Sequence, residues 1–350
     1  MAALNGPPLC FLVIFMKMSS IAHRFPNLGL ILFITVLCFA FSLLTERFAT
    51  ALNLENLLVG YSFIALIAIG QSFPIMVRGI DLSVGSILAL AGMVLFDCIL
   101  IFELPGSVAV ILAVLTGTVA GAINGLIIVF FNLQPFVATL ATLAAYRGLV
   151  YAISGRQLMP ELATTPIRDP FIQFINEFYD VGGAFDLDLD IMLPYIHSSF
   201  FVLIAVVVIL QLLMHGTTFG TAVKATGGNY ESARLAGISV RLVTVSAYAI
   251  CGLLTGIAAC ILVARLTTAT EAMGITMELT TIAAAVIGGT SLMGGKGTVL
   301  GPVLGTFLLG IILVGLTLMG ISQYIQQIIT GLILLIAVAY DRFSVNGTTR

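Results

Sequence analysis

The sequence has no tryptophan, only three histidines among 350 residues, and little charge: Asp, Glu, Lys and Arg make up 9% of it. Soluble domains carry about 25% charge, so this shortage excludes an ordinary soluble fold. The net charge of −2 offers no basic surface for nucleic acid. His23, His197 and His215 are scattered and read as interfacial or loop residues, because a metal site needs clustered ligands. No phosphate-binding loop, no Gly-x-Ser-x-Gly elbow and no His-Glu-x-x-His pair occurs. The five cysteines, Cys10, Cys38, Cys98, Cys251 and Cys260, all lie in apolar segments. There cysteine behaves as a small core residue, so neither a disulfide framework nor a zinc site is expected. Without tryptophan, Tyr and Phe must mark the membrane interfaces.

What the chain has is hydrophobicity. Sixty per cent of its residues are apolar and its mean hydropathy is +1.17. A helix needs about 20 apolar residues to cross the hydrocarbon. Ten segments qualify: 27–45, 57–77, 83–102, 106–130, 135–153, 198–214, 242–263, 278–293, 298–319 and 322–340. The expected fold is all-α, a polytopic transmembrane bundle of about ten spans, some short or broken. Segment 278–293 is the weakest, with Ala283, Ala284, Ala285, Gly288 and Gly289 close together. Residues 1–26 read as a cytoplasmic N-terminal segment, with 1–15 an extension ahead of Met16. Residues 27–343 form the transmembrane domain, and 344–350 a cytoplasmic tail.

Basic residues set the orientation. With the N-terminus inside, Lys17, Arg24, Arg78, Lys224, Arg234, Arg241, Lys296, Arg342 and Arg350 fall on the inner side. Arg47, Arg156, Arg168 and Arg265 fall outside, and Arg147 lies within a span. Both termini are therefore expected in the cytoplasm. The 154–197 loop, with Asp186, Asp188, Asp190 and four prolines, is expected outside, either as a solvated connector or as a docking surface. Gly117, Gly121 and Gly125 recur every four residues, as do Gly301 and Gly305; small residues at that spacing let membrane helices pack closely.

Polar interruptions carry the functional signal. The segment Gly216 to Ser239 is polar and rich in Gly and Ala, between two long apolar runs. The spacing of Ala225, Asn229, Ala233 and Gly237 predicts one short helix with a smooth face. Such a helix on the inner surface suits docking to a soluble partner, and Gly237 suits its C-terminal end. A second interruption runs from Arg78 through Gly79, Ile80, Asp81, Leu82 and Ser83 to Ser86. Asp81 or Ser83 can cap the helix that follows, either at the interface or as a broken helix entering a cavity. A third holds Gln134, Pro135, Phe136 and Thr139, followed by Arg147 inside the span. A buried arginine there needs a partner, water, or a snorkelling route outward. The last runs from Glu278 to Thr298 and ends in Gly294, Gly295, Lys296 and Gly297, which read as a turn between two short helices rather than a phosphate loop. Asp81, Ser83, Phe136, Thr139, Arg147 and Glu278 are thus the candidates for a solute pathway. Interrupted segments in both halves of a chain can flank a midplane binding site.

Four of these motifs, in order, resemble the membrane permease subunits of bacterial ABC importers for monosaccharides, the ribose, arabinose, xylose and galactose type. They are Gly79–Ser86, Gln134–Leu140 with Arg147-Gly148, Gly228-Asn229 to Ala236-Gly237-Ile238, and Ala285 to Gly295. The resemblance covers residues 27–343. It implies a permease that pairs with a second copy or a sister permease in the inner membrane. It implies a cytosolic ABC ATPase docking on a coupling helix at 217–236, through Gly228, Asn229, Ala233, Ala236, Gly237 and Ile238. It also implies an extracytoplasmic sugar-binding protein, a small sugar as cargo, and ATP used by the partner with no cofactor on this chain. Two departures stand out: Arg78-Gly79 where the family often has Gly-Gly, and Ser154-Gly155-Arg156 where it often has Thr-Gly-Gly. Related permeases carry autoinducer-2, so the cargo stays open. An ion-driven secondary transporter is the alternative, but that class needs ionisable groups within its spans. Only Asp97 and Arg147 lie clearly inside, with Asp81 and Glu278 at edges. An intramembrane hydrolase finds no Ser–His–Asp arrangement to support it.

Overall fold

The computed structural model describes residues 27–154, 167–179 and 196–347. The possible extension 1–15, the rest of the N-terminal segment and most of the long outer loop lie outside them. The described chain is helical apart from one two-residue antiparallel pair. In order come α1 (Leu28–Leu44), α2 (Ala51–Met76), α3 (Val84–Leu100), α4 (Gly106–Phe131) and α5 (Pro135–Ile153). Then follow α6 (Pro170–Ile175), β1 (Phe178–Tyr179), β2 (Ile196–His197), α7 (Ser198–Gly216), α8 (Thr218–Gly228) and α9 (Tyr230–Leu235). The last are α10 (Val240–Leu266), α11 (Met277–Ile287), α12 (Leu300–Leu318) and α13 (Gln323–Gly347). Each of the ten expected spans finds its helix. Six are long and apolar enough to cross a membrane, and four are shorter apolar helices. α13 runs to Gly347, past the start of the expected tail.

Burial separates centre from periphery. α2 and α10 are each 78% buried along their apolar windows, whereas α4, α5 and α7 are 33%, 28% and 22% buried. The two central helices therefore form the core, and the others give one face to it and one to the surroundings. The glycine repeat explains the tightest packing. Gly117 and Gly121 of α4 lie against Gly252 and Gly256 of α10 so closely that a side chain on any of them would strike opposing backbone.

The helix packing has an internal order. α10 packs on α3 and α4, as α2 packs on α11 and α12; α3 meets α5, as α11 meets α13. Units α2–α5 and α10–α13 thus share one packing scheme. α2 and α10 run in opposite directions, so the units are inverted relative to each other, a design common in transporters. Each carries one interruption directly after its first helix: residues 77–83 in one, 267–276 in the other. Both re-enter the bundle, and they bring Gly85, in the first turn of α3, into backbone contact with Gly274. α11 then has only 11 residues, about 16 Å or half the hydrocarbon thickness. The weakness of segment 278–293 in the sequence is the trace of this half-helix.

The two ends of the bundle match the partition of basic residues. At one end, the Gly295 amide donates to Met76 O at 2.9 Å, and Arg78 reaches Gly227 and Gly228. At the other, the Gly106 amide donates to Asp169 Oδ2 at 3.0 Å and the Ile167 amide to Thr267 O at 3.0 Å. The end holding Arg78, Lys224, Arg234, Arg241 and Lys296 is expected in the cytoplasm. In a background without native cysteines, Glu103→Cys should react with an impermeant maleimide added outside intact cells, and Ser232→Cys should not. The reverse pattern would invert the topology.

Candidate functional site

The first re-entrant segment is held by a buried polar network. Asp81, Ser83, Asn124, Gln71 and Thr139 are fully buried, and Tyr146 nearly so. Asp81 Oδ1 accepts from the Ser83 amide at 2.9 Å and from Ser83 Oγ at 2.7 Å. Asn124 of α4 donates its amide to Asp81 Oδ2 at 3.1 Å and to Ser83 Oγ at 2.7 Å. The Tyr146 hydroxyl lies 3.2 Å from Asn124 Oδ1 and 2.9 Å from Ala120 O. Gln71 Nε2 donates to the Asp81 carbonyl at 3.0 Å. Thr139 Oγ1 lies 3.1 Å from Ile80 O and 2.9 Å from Pro135 O. Asp81, read as lying at a span edge, therefore sits deep among α2, α4 and α5, because the loop folds inward and α4 and α5 supply donors. Its side chain folds back on Ser83, whose own side chain makes no cap hydrogen bond to α3. Thr139 faces the carbonyls of the loop and its own helix rather than an open surface.

The other pathway candidates fall elsewhere. Phe136 is 54% exposed on the outward face of α5. Arg147, part-buried on the same helix, donates through Nη1 to Met273 O at 2.9 Å and to Glu271 O at 2.5 Å. It thereby clamps the second re-entrant segment, which answers the need of a charge inside a span for a partner. The Glu278 carboxylate lies against Gly85, near enough to Arg147 to act on it electrostatically. The structure thus forms two groups: Asp81, Ser83 and Thr139 in the closed network, and Arg147 with Glu278 at the meeting of the re-entrant segments. Gln71, Asn124 and Tyr146 were missed in the sequence. Asn124 had a usable signal, as the single amide side chain in an otherwise apolar 26-residue helix.

The expected coupling helix is two helices. Asn229 is extended (φ −153°, ψ 109°) between α8 and α9, so the face through Ala225, Asn229, Ala233 and Gly237 is not continuous. The cause is local. Gly227 and Gly228 weaken the end of α8, and Asn229 starts a new helix by accepting the Ser232 amide at 2.9 Å. Gly237, at φ +83°, closes α9 as expected: its amide bonds Arg234 O and the Ile238 amide bonds Ala233 O. Gly228, Asn229, Ala236 and Gly237 are exposed and Ile238 half-buried. Ala233 is buried at 4%, so it packs against its own chain rather than facing outward. The outward apolar groups are Tyr230 and Leu235, the latter 82% exposed. Beside α8 opens a cleft of about 450 Å³ lined by Arg78, Gly228 and residues 291–296. Its wall is the glycine turn, with Gly294 and Gly295 at φ +80° and +74°.

At the opposite end, the buried His197 ring lies 2.8 Å from Ser199 Oγ and 3.0 Å from Asn176 Oδ1. It joins α6 to the start of α7. Burial, with Arg265 nearby, lowers its pKa to about 4, so the ring is neutral at ordinary pH. Among the described residues no group of three His, Cys, Asp or Glu side chains could hold a metal ion.

These features, two inverted units with broken helices and a segmented surface element at one end, are those of a transport protein. Residues 53–338 match the model of the family described as "Branched-chain amino acid transport system / permease component". The chain belongs to this permease family. Among curated proteins it is 38% identical to the ribose import permease protein RbsC of Bacillus subtilis over 317 residues, covering 91% of this chain and 92% of the relative. It is 36% identical to the D-allose transport system permease protein AlsC of Escherichia coli K12, covering 86% of each. Identity to the galactose/methyl galactoside import permease protein MglC of the same strain is 34%, covering 84% of this permease and 87% of the relative. No solved structure matches the chain.

Proposed function

We propose that this permease is the membrane subunit of an ATP-driven importer that carries a monosaccharide inward. The observation that carries the reading is similarity to three sugar import permeases over 84–91% of the chain, on a chain that presents the segmented α8–α9 element at the end rich in basic residues. A cytosolic ABC ATPase docks on α8–α9 and hydrolyses the ATP, and this chain binds no cofactor itself. An extracytoplasmic sugar-binding protein delivers the cargo at the other end. A second copy or sister permease completes the pathway against the exposed face of α5, where Phe136 offers an aromatic surface to a sugar ring. Arg147 and Glu278 border that pathway at the re-entrant segments, and Asp81, Ser83 and Thr139 shape it from behind.

The ion-driven alternative finds a buried carboxyl in Asp81, but Ser83 and Asn124 close it off from any exchange site. The test is uptake into proteoliposomes holding the permease with its ATPase and binding protein, using labelled D-ribose, D-allose and D-galactose. Accumulation of at least one should need ATP inside and survive ionophores. Uptake driven by an ion gradient without ATP would overturn the reading.

A further inference from the structure

We infer that Arg78 is a positioning residue, a strut through which the α8–α9 segment moves the re-entrant loop that carries α3. The inference rests on the reading of α8–α9 as the ATPase contact. It begins with a conflict between backbone and side chain. Arg78 has φ +65°, a left-handed conformation that suits glycine and strains other residues. An arginine kept there must return something through its side chain.

What it returns is a grip on α8. Nε donates to Gly227 O at 2.5 Å and Nη2 to Gly228 O at 2.6 Å. These carbonyls close α8, where the helix leaves its own acceptors open and its dipole is negative. Two parallel bonds from a planar fork fix direction as well as distance. The stem is gripped as well, since a side chain added at Gly294 would meet Arg78 Cγ at 2.5 Å.

The route onward is rigid. At Gly79 the Tyr248 hydroxyl leaves no room for a side chain. The Ile80 carbonyl faces Thr139. Asp81 and Ser83 are fixed by Asn124, and α3 begins at Val84. A shift of the end of α8 therefore drags the guanidinium, and with it the start of α3 where Gly85 meets Gly274.

Arg78→Gly tests this cleanly, because it relieves the backbone while removing the strut. In proteoliposomes with ATPase and binding protein, and with the three labelled sugars as probes, the variant should assemble and hydrolyse ATP. Sugar moved per ATP should fall at least tenfold. Arg78→Lys, which keeps the charge and loses the fork, should fall between. A wild-type ratio in Arg78→Gly overturns the strut. If the wild-type complex neither assembles nor moves a probe, the functional reading fails instead. Hydrogen exchange on the full chain in detergent then still decides: residues 79–86 and 225–228 should exchange faster together in Arg78→Gly, and unchanged exchange at 79–86 overturns the strut.

Discussion

Leu235→Glu should strip the permease of its ATPase while leaving the permease itself in the membrane at normal level. Leu235 ends α9 with 82% of its surface exposed, and Tyr230 at the other end of the same helix is 46% exposed. Their neighbours Glu231 and Arg234 pair with each other at 3.0 Å, so the charge around them is self-compensated. A leucine held out at the end of a six-residue helix, on a backbone fixed by the Asn229 cap and the Gly237 turn, contributes nothing to its own fold. A groove on a partner would gain by covering it. A hot-spot residue, of the kind that clusters near the centre of an interface, costs about 2 kcal/mol or more when lost, about thirtyfold in Kd. Glutamate adds the cost of placing a charge in that groove. Co-purified ATPase should therefore fall at least thirtyfold, and ATP-driven uptake with it. Ala233→Glu serves as contrast: Ala233 is 4% exposed, so a charge there disturbs the packing of α9 on its own chain and should lower the yield of folded permease. If Leu235→Glu keeps its ATPase, α8–α9 is not the contact, and the ion-driven alternative moves ahead.

The contrast between Ala233 and Leu235 shows how far the sequence could be read. Spacing placed Ala233 on a face shared with Asn229, and that holds only if the helix runs unbroken. Two glycines followed by an asparagine favour a break, but the same residues also suit a helix end. Which applies depends on Met76 and Gly295 crowding Gly227 from outside the segment. The ten spans were legible because hydropathy depends on composition alone. Of the re-entrant loops, the first was legible as the polar interruption Gly79–Ser83, and the second, residues 267–276, showed only through the weak apolar segment 278–293 that follows it. Nothing local says that a polar interruption turns inward rather than out to water. That choice is made by Asn124 and Arg147, which lie on other helices and far away in sequence. The inverted repeat was hidden for a related reason: the two units share a packing scheme while running in opposite directions, and a packing scheme cannot be read from hydropathy.

Asn124→Ala should be the most damaging single truncation inside the bundle. Among the described residues, the Asn124 side chain is the only group that hydrogen-bonds Asp81, Ser83 and Tyr146 together. Its loss leaves the buried Asp81 Oδ2 without the one donor it has among the described residues. Asp81 and Asn124 have no exposed surface, so the stranded oxygen does not face bulk water. Removing one partner of a buried polar pair costs about 1–3 kcal/mol when the groups are neutral and about 3–5 kcal/mol when one is charged. We expect a loss of about 3 kcal/mol, seen as a fall of roughly 5–10 °C in the melting temperature of the detergent-solubilised permease. Uptake should fall with it, because the loop bearing α3 loses its anchor. The cause can be separated from simple loss of volume by removing the carboxyl first. In an Asp81→Ala background, Asn124→Ala should cost at least about 1 kcal/mol less than in the wild type, since the group it would strand is already gone. Additive losses would mean that Asn124 only fills space and that the re-entrant loop is held by packing.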